Sequence, residues 1–337
     1  WWVMRARTIE AFAARGHDVG AAMTVAIPTG SGPQKVAHLL AAAGVVTDAD
    51  LLYAYLRRER LGPKLKAGEY EFSGMVTPKQ VIARLVAGDV KTYHFTVPEG
   101  LRSDEVFPIL ARSELKLDPA KLRKLASDPA FLHKLGVPAD RIEGFLFPDT
   151  YTFTRGATEE QVLAQMVSRA LEEYRAADAE RSPGNTLSML EAFTLASIVE
   201  KETGAEEERP RISCVFHNRL RLRMKLQTDP TVLYAMSLLR GTWVNNITRQ
   251  DLETPHPYNT YTTQGLPPGP IANPGAAALK AALHPIRCDD LYFVSQNNGT
   301  HVFCPDLKCH NAAVEKWQHQ YFRQKRQQKG RTASSRG

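Results

Sequence analysis

LASIVEKET (195–203), FHNRL (216–220), LQTDPTVLYA (226–235) and YNTYTTQGLPPGPIANPG (258–275) follow one another closely in this chain. The first reads as a helix. Leu195, Ile198, Val199 and Glu202 recur at i, i+3, i+4 and i+7 and line one face, while Ala196, Ser197, Glu200 and Lys201 fall on others. Two positions apart means roughly 200° around the axis, so Glu200 and Glu202 point in nearly opposite directions and cannot act as a pair. Glu202 continues the apolar stripe. A carboxyl there is expected to be desolvated, which raises its pKa toward the range where it can give and take a proton at neutral pH. Glu200 is expected to be an ordinary solvated acid. The competing reading of Glu202 is a helix-end acid ion-paired with Arg209 or Arg211.

Asn218, Gln227, Thr228 and Asp229 are polar residues suited to sugar hydroxyl and N-acetyl groups, and Tyr258, Asn259, Thr260 and Tyr261 form a polar-aromatic patch. Asp229 before Pro230 also reads as a helix cap. GLPPGPIANPG is too rich in Pro and Gly for a helix or a central strand and reads as an ordered loop walling a cleft. Most glycosidases use two carboxylates, and no second acid stands out beside Glu202. GxSxG, HExxH, Walker and GxGxxG motifs are absent. His284 before Pro285 reads as structural.

Length and composition set the frame. The 337 residues suffice for two or three domains, and 43% hydrophobic content suits a globular core. The net charge of +7 resides in residues 316–337, which hold seven basic residues and no acid; 1–315 is electrically balanced. RQKRQQKGRTASSRG therefore reads as a solvated basic tail, with no nucleic-acid binding expected. No apolar run in 1–23 is long enough to span a membrane, but Trp1 and Trp2 suit the interfacial end of a span preceding this chain. Cys304 and Cys309 are close enough to pair in an oxidising compartment. His301, Cys304, Cys309 and His310 can also be read as a metal cluster, but LYFVSQNNGTHVF before and among them already reads as two strands and a turn. No metal or cofactor is expected.

In order along the chain, 24–97 reads as strand, two helices, strand, helix, strand, with Thr77 capping a helix that Pro78 opens. Residues 103–137 read as helices broken at Pro119, Pro129 and Pro138, 143–153 as an aromatic loop or edge strand in which Phe145 and Phe147 pack inward, and 158–178 as one long helix. The fold class is α+β.

On LASIVEKET, FHNRL, LQTDPTVLYA, YNTYTTQGLPPGPIANPG and AALHP (281–285), in that order, the chain resembles the endolytic murein transglycosylase family, also called YceG-like or MltG-like, from about residue 24 to 320. The resemblance implies a remnant beside a membrane anchor over 1–23, a LysM-like module over 24–97 and a larger mixed α+β YceG-like catalytic domain over 98–320; the basic tail, 321–337, and the cysteines lie outside the family's pattern. It implies Glu202, the second acid of the EKE motif, as the acid–base, and an inner-membrane, single-pass protein with its catalytic part in the periplasm. Its substrate would be peptidoglycan, cleaved within the strand at MurNAc-β-1,4-GlcNAc to leave 1,6-anhydro-MurNAc ends, and its neighbours the cell-wall synthesis enzymes. One acid then suffices, because the nucleophile is the C6 hydroxyl of the substrate itself. A non-catalytic peptidoglycan-binding scaffold is the alternative.

Overall fold

The computed structural model describes residues 2–321 and 323. Trp1 and most of the basic tail, 324–337, lie outside the described residues. The contacts divide the chain into two units. One comprises 1–95, 113–115 and 151–157; the other comprises 96–112, 116–150 and 158–337.

The first unit runs α1 (Trp2–Ala14), β1 (His17–Asp18), β2 (Met23–Ile27), α2 (Pro33–Ala42), α3 (Ala49–Arg58), β3 (Gly68–Phe72), β4 (Met75–Val76), α4 (Pro78–Ala87) and β5 (Thr92–Thr96). Strands β2 and β3 pair antiparallel, Met23 opposite Phe72 and Ile27 opposite Gly68. Alternation sends Val25, Ile27, Tyr70 and Phe72 to the buried side. There they meet Val36 and Leu40 of α2, Leu52 and Leu56 of α3, and Ile82 and Leu85 of α4. Helix α4 begins in a full capping box between Thr77 and Gln80 and ends at Gly88 in the left-handed region. The unit takes in more sequence than 24–97. Ile9 and Phe12 of α1 join its core, and β5 pairs with β6 (Thr150–Thr154), which returns from much later in the chain. No helix among the described residues is long and apolar enough to cross a membrane.

The second unit is mainly helical: α5 (Ser103–Arg112), α6 (Pro119–Leu125), α7 (Pro129–Leu135), α8 (Glu159–Ala179), α9 (Met189–Glu202), α10 (Arg209–Arg221), α11 (Asp229–Arg240), α12 (Arg249–Glu253) and α13 (Ala276–Leu283), then the hairpin β7 (Tyr292–Ser295) and β8 (His301–Cys304) and α14 (Leu307–Val314). Pro119 and Pro129 open helices behind the caps Asp118 and Asp128. Helix α9 is the hub, and the one-sided stripe expected of it gives way to burial all round. Ala196 and Ser197 are as buried as Leu195 and Ile198, because α10, α11 and α13 pack on it from different sides. Ser197 is satisfied inside, donating to the Thr194 carbonyl and accepting from the Ile271 amide. Phe193 sits 4.4 Å from Phe145 and 5.8 Å from Tyr174, ring centre to ring centre. Asn273, fully buried, braces the Pro/Gly loop. Its amide donates to the Leu101 carbonyl and its Oδ1 accepts from Leu146 N–H.

All four cysteines are in disulfides, Cys214–Cys288 and Cys304–Cys309. Of the residues that could be read as a metal cluster, two are thereby bonded to each other and His301 pairs with Glu208 at 2.7 Å.

Gly144 combines a φ of +89° with close approach, since a Cβ there would lie 2.4 Å from Pro270. Gly156 has a φ of +90° and open space. Gly144→Ala should therefore cost more than about 2 kcal/mol and Gly156→Ala only about 1 kcal/mol. Chemical denaturation of the two variants checks the difference.

Candidate active site

Glu202 is the last residue of α9, and its side chain is half-buried. Its Oε1 accepts a hydrogen bond from the Thr228 hydroxyl. Burial pushes the carboxyl up to about 7, assisted by the negative Asp229 and opposed by the Thr228 hydroxyl and the Arg219 charge. No ion pair to Glu202 forms among the described residues. Of the arginines considered for it, Arg209 pairs with Glu200 at 2.8 Å and Arg211 with Asp290 at 2.8 Å.

Thr228 is the N-cap residue of α11, yet its hydroxyl makes no capping bond; it is spent on Glu202. Neighbouring threonines hold it there. The Thr228 amide donates to Thr260 Oγ1 at 3.1 Å, and Thr231 donates its hydroxyl to the Thr228 carbonyl at 2.7 Å. Thr231 and Thr260 share a 2.8 Å hydroxyl contact. Gln227, just before, has φ +51°, unusual for a side chain other than glycine. Its amide bonds the Thr260 carbonyl and its side chain is exposed. Arg219, 7% exposed, donates to the carbonyls of Leu291 and Leu226 and faces the Tyr292 ring. It supplies buried positive charge near Glu202 without bonding it.

Glu200 is not the solvated acid that the helix pattern implies. Its side chain is 6% exposed, that of Arg209 8%, and its second oxygen accepts the Gly275 amide at 3.0 Å. Burial still raises its pKa, against that amide and Arg209. The helix wheel separates the two acids correctly and the desolvation expected of Glu202 is found, but Glu200's environment differs from the expected one, because the second face of α9 is covered by the 273–275 loop and by Arg209.

The polar-aromatic patch divides. Tyr261 donates its hydroxyl to Asp229 at 2.7 Å, on the Glu202 side. Asp229, exposed, is the first helical residue of α11 rather than its cap. Asn259 is fully buried and gives its amide to the carbonyls of Asp251, Leu252 and Thr254. It and buried Thr260 hold the loop from inside. Tyr258 turns away to pack 4.9 Å from Tyr234, and with Pro268, Gly269 and Pro270 it lines a pocket of ≈260 Å³ that Glu143 also faces. Asn218 is tied to the carbonyls of Cys288 and Asp290 beside the Cys214–Cys288 disulfide.

Sequence reasoning passed over Arg219, Thr231 and Glu143. Arg219 lies inside FHNRL, where a buried arginine beside the acid is not legible from spacing. Glu143 opens EGFLFPDTY, a stretch read for its aromatics. Its Oε1 accepts from the Ser103 amide and hydroxyl, and burial pushes it up to about 7 against those two donors.

Residues 25–316 match the model of the YceG-like family, and the chain belongs to that family. It is 32% identical over 315 residues to an endolytic murein transglycosylase of Bacillus subtilis, spanning 89% of this chain and 86% of that one. An endolytic murein transglycosylase of Streptococcus pneumoniae is 28% identical over 299 residues, which is 81% of this chain but only 54% of that longer protein. The crystal structure of a yceG-like protein from Listeria monocytogenes superposes with a TM-score of 0.58 at 32% identity, covering 86% of this chain and 98% of that one.

Removing Arg209 leaves Glu200 buried without its cation, so Arg209→Ala should destabilise the protein by about 3–5 kcal/mol, while Glu200→Gln, which leaves Arg209 its second partner Glu99 at 3.4 Å, should cost less. Denaturant titration at pH 7 of both variants checks the asymmetry.

Proposed function

We propose that this chain is an endolytic peptidoglycan lytic transglycosylase that cuts MurNAc-β-1,4-GlcNAc bonds within glycan strands. The observation that carries the reading is one desolvated carboxyl, Glu202, held by a hydroxyl rather than a cation. Protonated Glu202 donates to the glycosidic oxygen, and the bond from C1 to that oxygen breaks as positive charge develops on the MurNAc ring. The resulting carboxylate takes the proton from the C6 hydroxyl of the same MurNAc, and O6 bonds to C1. The products are a GlcNAc hydroxyl end and a 1,6-anhydro-MurNAc end, with Glu202 protonated again. No water is consumed. Asp229, the acid nearest in sequence to this contact, is occupied by the Tyr261 hydroxyl.

The exposed Gln227 and Asp229 and the half-buried Tyr261 are placed to touch glycan, and Tyr258 to touch it further along. Thr228, Asn259 and Thr260 position the acid and its loop, and Asn218 anchors α10. Two disulfides and relatives named for murein support an extracytoplasmic location. Anchoring at the inner membrane through a segment preceding this chain, action beside cell-wall synthesis enzymes to end nascent strands, and glycan binding by a LysM-like first unit belong to the same proposal. The strand–helix–helix–strand order from β2 to β3 supports the last.

Glu202→Gln should lower cleavage by about 10²–10⁴-fold and remove anhydro ends from the products, as read by mass spectrometry of digested glycan. Reducing ends from the parent protein would make it a hydrolase instead. The folded state holds the Glu202 proton more tightly than the unfolded chain does, so this group's contribution declines as pH rises from about 4.5 to about 7. The same variant should therefore melt higher than the parent at pH 8 and about equally at pH 4, with a gain of at most about 3 kcal/mol. Since the first step needs the protonated acid, kcat/KM should fall as pH rises through about 7. Thr228→Val removes a donor to the carboxylate and should move that limb to higher pH.

A further inference from the structure

The second unit carries a cleft of ≈590 Å³ that the reaction above does not use. Arg102, Arg123, Arg141, Glu143, Tyr234 and Trp243 line it. The Arg102 guanidinium stacks 3.5 Å from the centre of the Trp243 ring and bonds Glu105, so it is a fixed wall. Arg123 and Arg141 differ. Both are exposed, and neither has a hydrogen-bond or ion-pair partner among the described residues. Their charge faces only Asp104 and Glu143 within the cleft. Two unpaired guanidiniums, an indole platform and two acids suit a ligand that carries carboxylates and an ammonium on a short flexible chain.

The place of the cleft narrows that class. Helix α11 begins at the Thr228 that holds Glu202, and Tyr234 and Leu238 of the same helix line the cleft. They lie roughly 9 and 15 Å further along its axis, at about 1.5 Å per residue. An extended peptide of three or four residues spans roughly 10–14 Å. We infer that this cleft receives the peptide stem of the glycan being cut, with Arg123 and Arg141 binding its carboxylates and the Trp243–Arg102 stack supporting its chain. The inference rests on the proposed reading of the substrate as peptidoglycan.

Binding separates the two. Titration calorimetry is carried out on the Glu202→Gln protein with muramyl oligosaccharide bearing tripeptide stems and with the same oligosaccharide stripped of them. The comparison is repeated with Arg123→Gln and Arg141→Gln added. Stem-bearing glycan should bind about tenfold more tightly than stripped glycan, and the two arginine changes should erase that advantage while leaving affinity for stripped glycan unchanged. Equal affinity for both ligands, binding of neither, or an advantage that survives the arginine changes overturns the inference. Failure of the parent protein to form anhydro ends would instead strike the proposed chemistry and leave this affinity comparison standing.

Discussion

The hydrogen bond from Thr228 to Glu202 is the contact around which the buried half of the site is arranged. Thr228 sits where a helix cap belongs and forgoes the cap to make it. Thr231 and Thr260 then lock the Thr228 backbone, Gln227 takes a left-handed conformation to deliver the chain, and Asn259 pins the loop that carries Thr260. Each of these gives up something a free segment would keep: a capping bond, a relaxed backbone or a solvated amide. What they jointly secure is a carboxyl held by one hydroxyl in a partly dry place.

The end of α9 shows why placement rather than residue type decides function. Glu200 and Glu202 share a helix and a composition of neighbours. One has a buried guanidinium and a backbone amide, so its charge is compensated. The other has a hydroxyl and a distant arginine, so its proton is retained near neutrality. Desolvation raises both, and the local donors and charges set them further apart.

Much of this was legible in the sequence because it depends on short-range rules. The cap at Thr77, the helix breaks at Pro119 and Pro129, and the hairpin from Tyr292 to Cys304 are local, and the structure builds them as read. The opposed orientation of Glu200 and Glu202 follows from helical spacing alone. What failed was burial. Nothing local reveals that the second face of α9 is covered by a loop 75 residues later, that Asn259 turns inward while Tyr261 turns to Asp229, or that Tyr258 leaves its neighbours for Tyr234. Arg219 and Glu143 acquire meaning only from partners far along the chain, so no motif isolates them.

The returning strand β6 has a consequence for how this protein can be divided. The chain passes from one unit to the other at 95/96, 112/113, 115/116, 150/151 and 157/158. The first unit is thus not a continuous stretch of sequence, and a gene fragment ending near residue 97 encodes β5 without the strand it pairs with. The unit cannot be exchanged between proteins by a single cut and splice, which ties its inheritance to that of the helical unit.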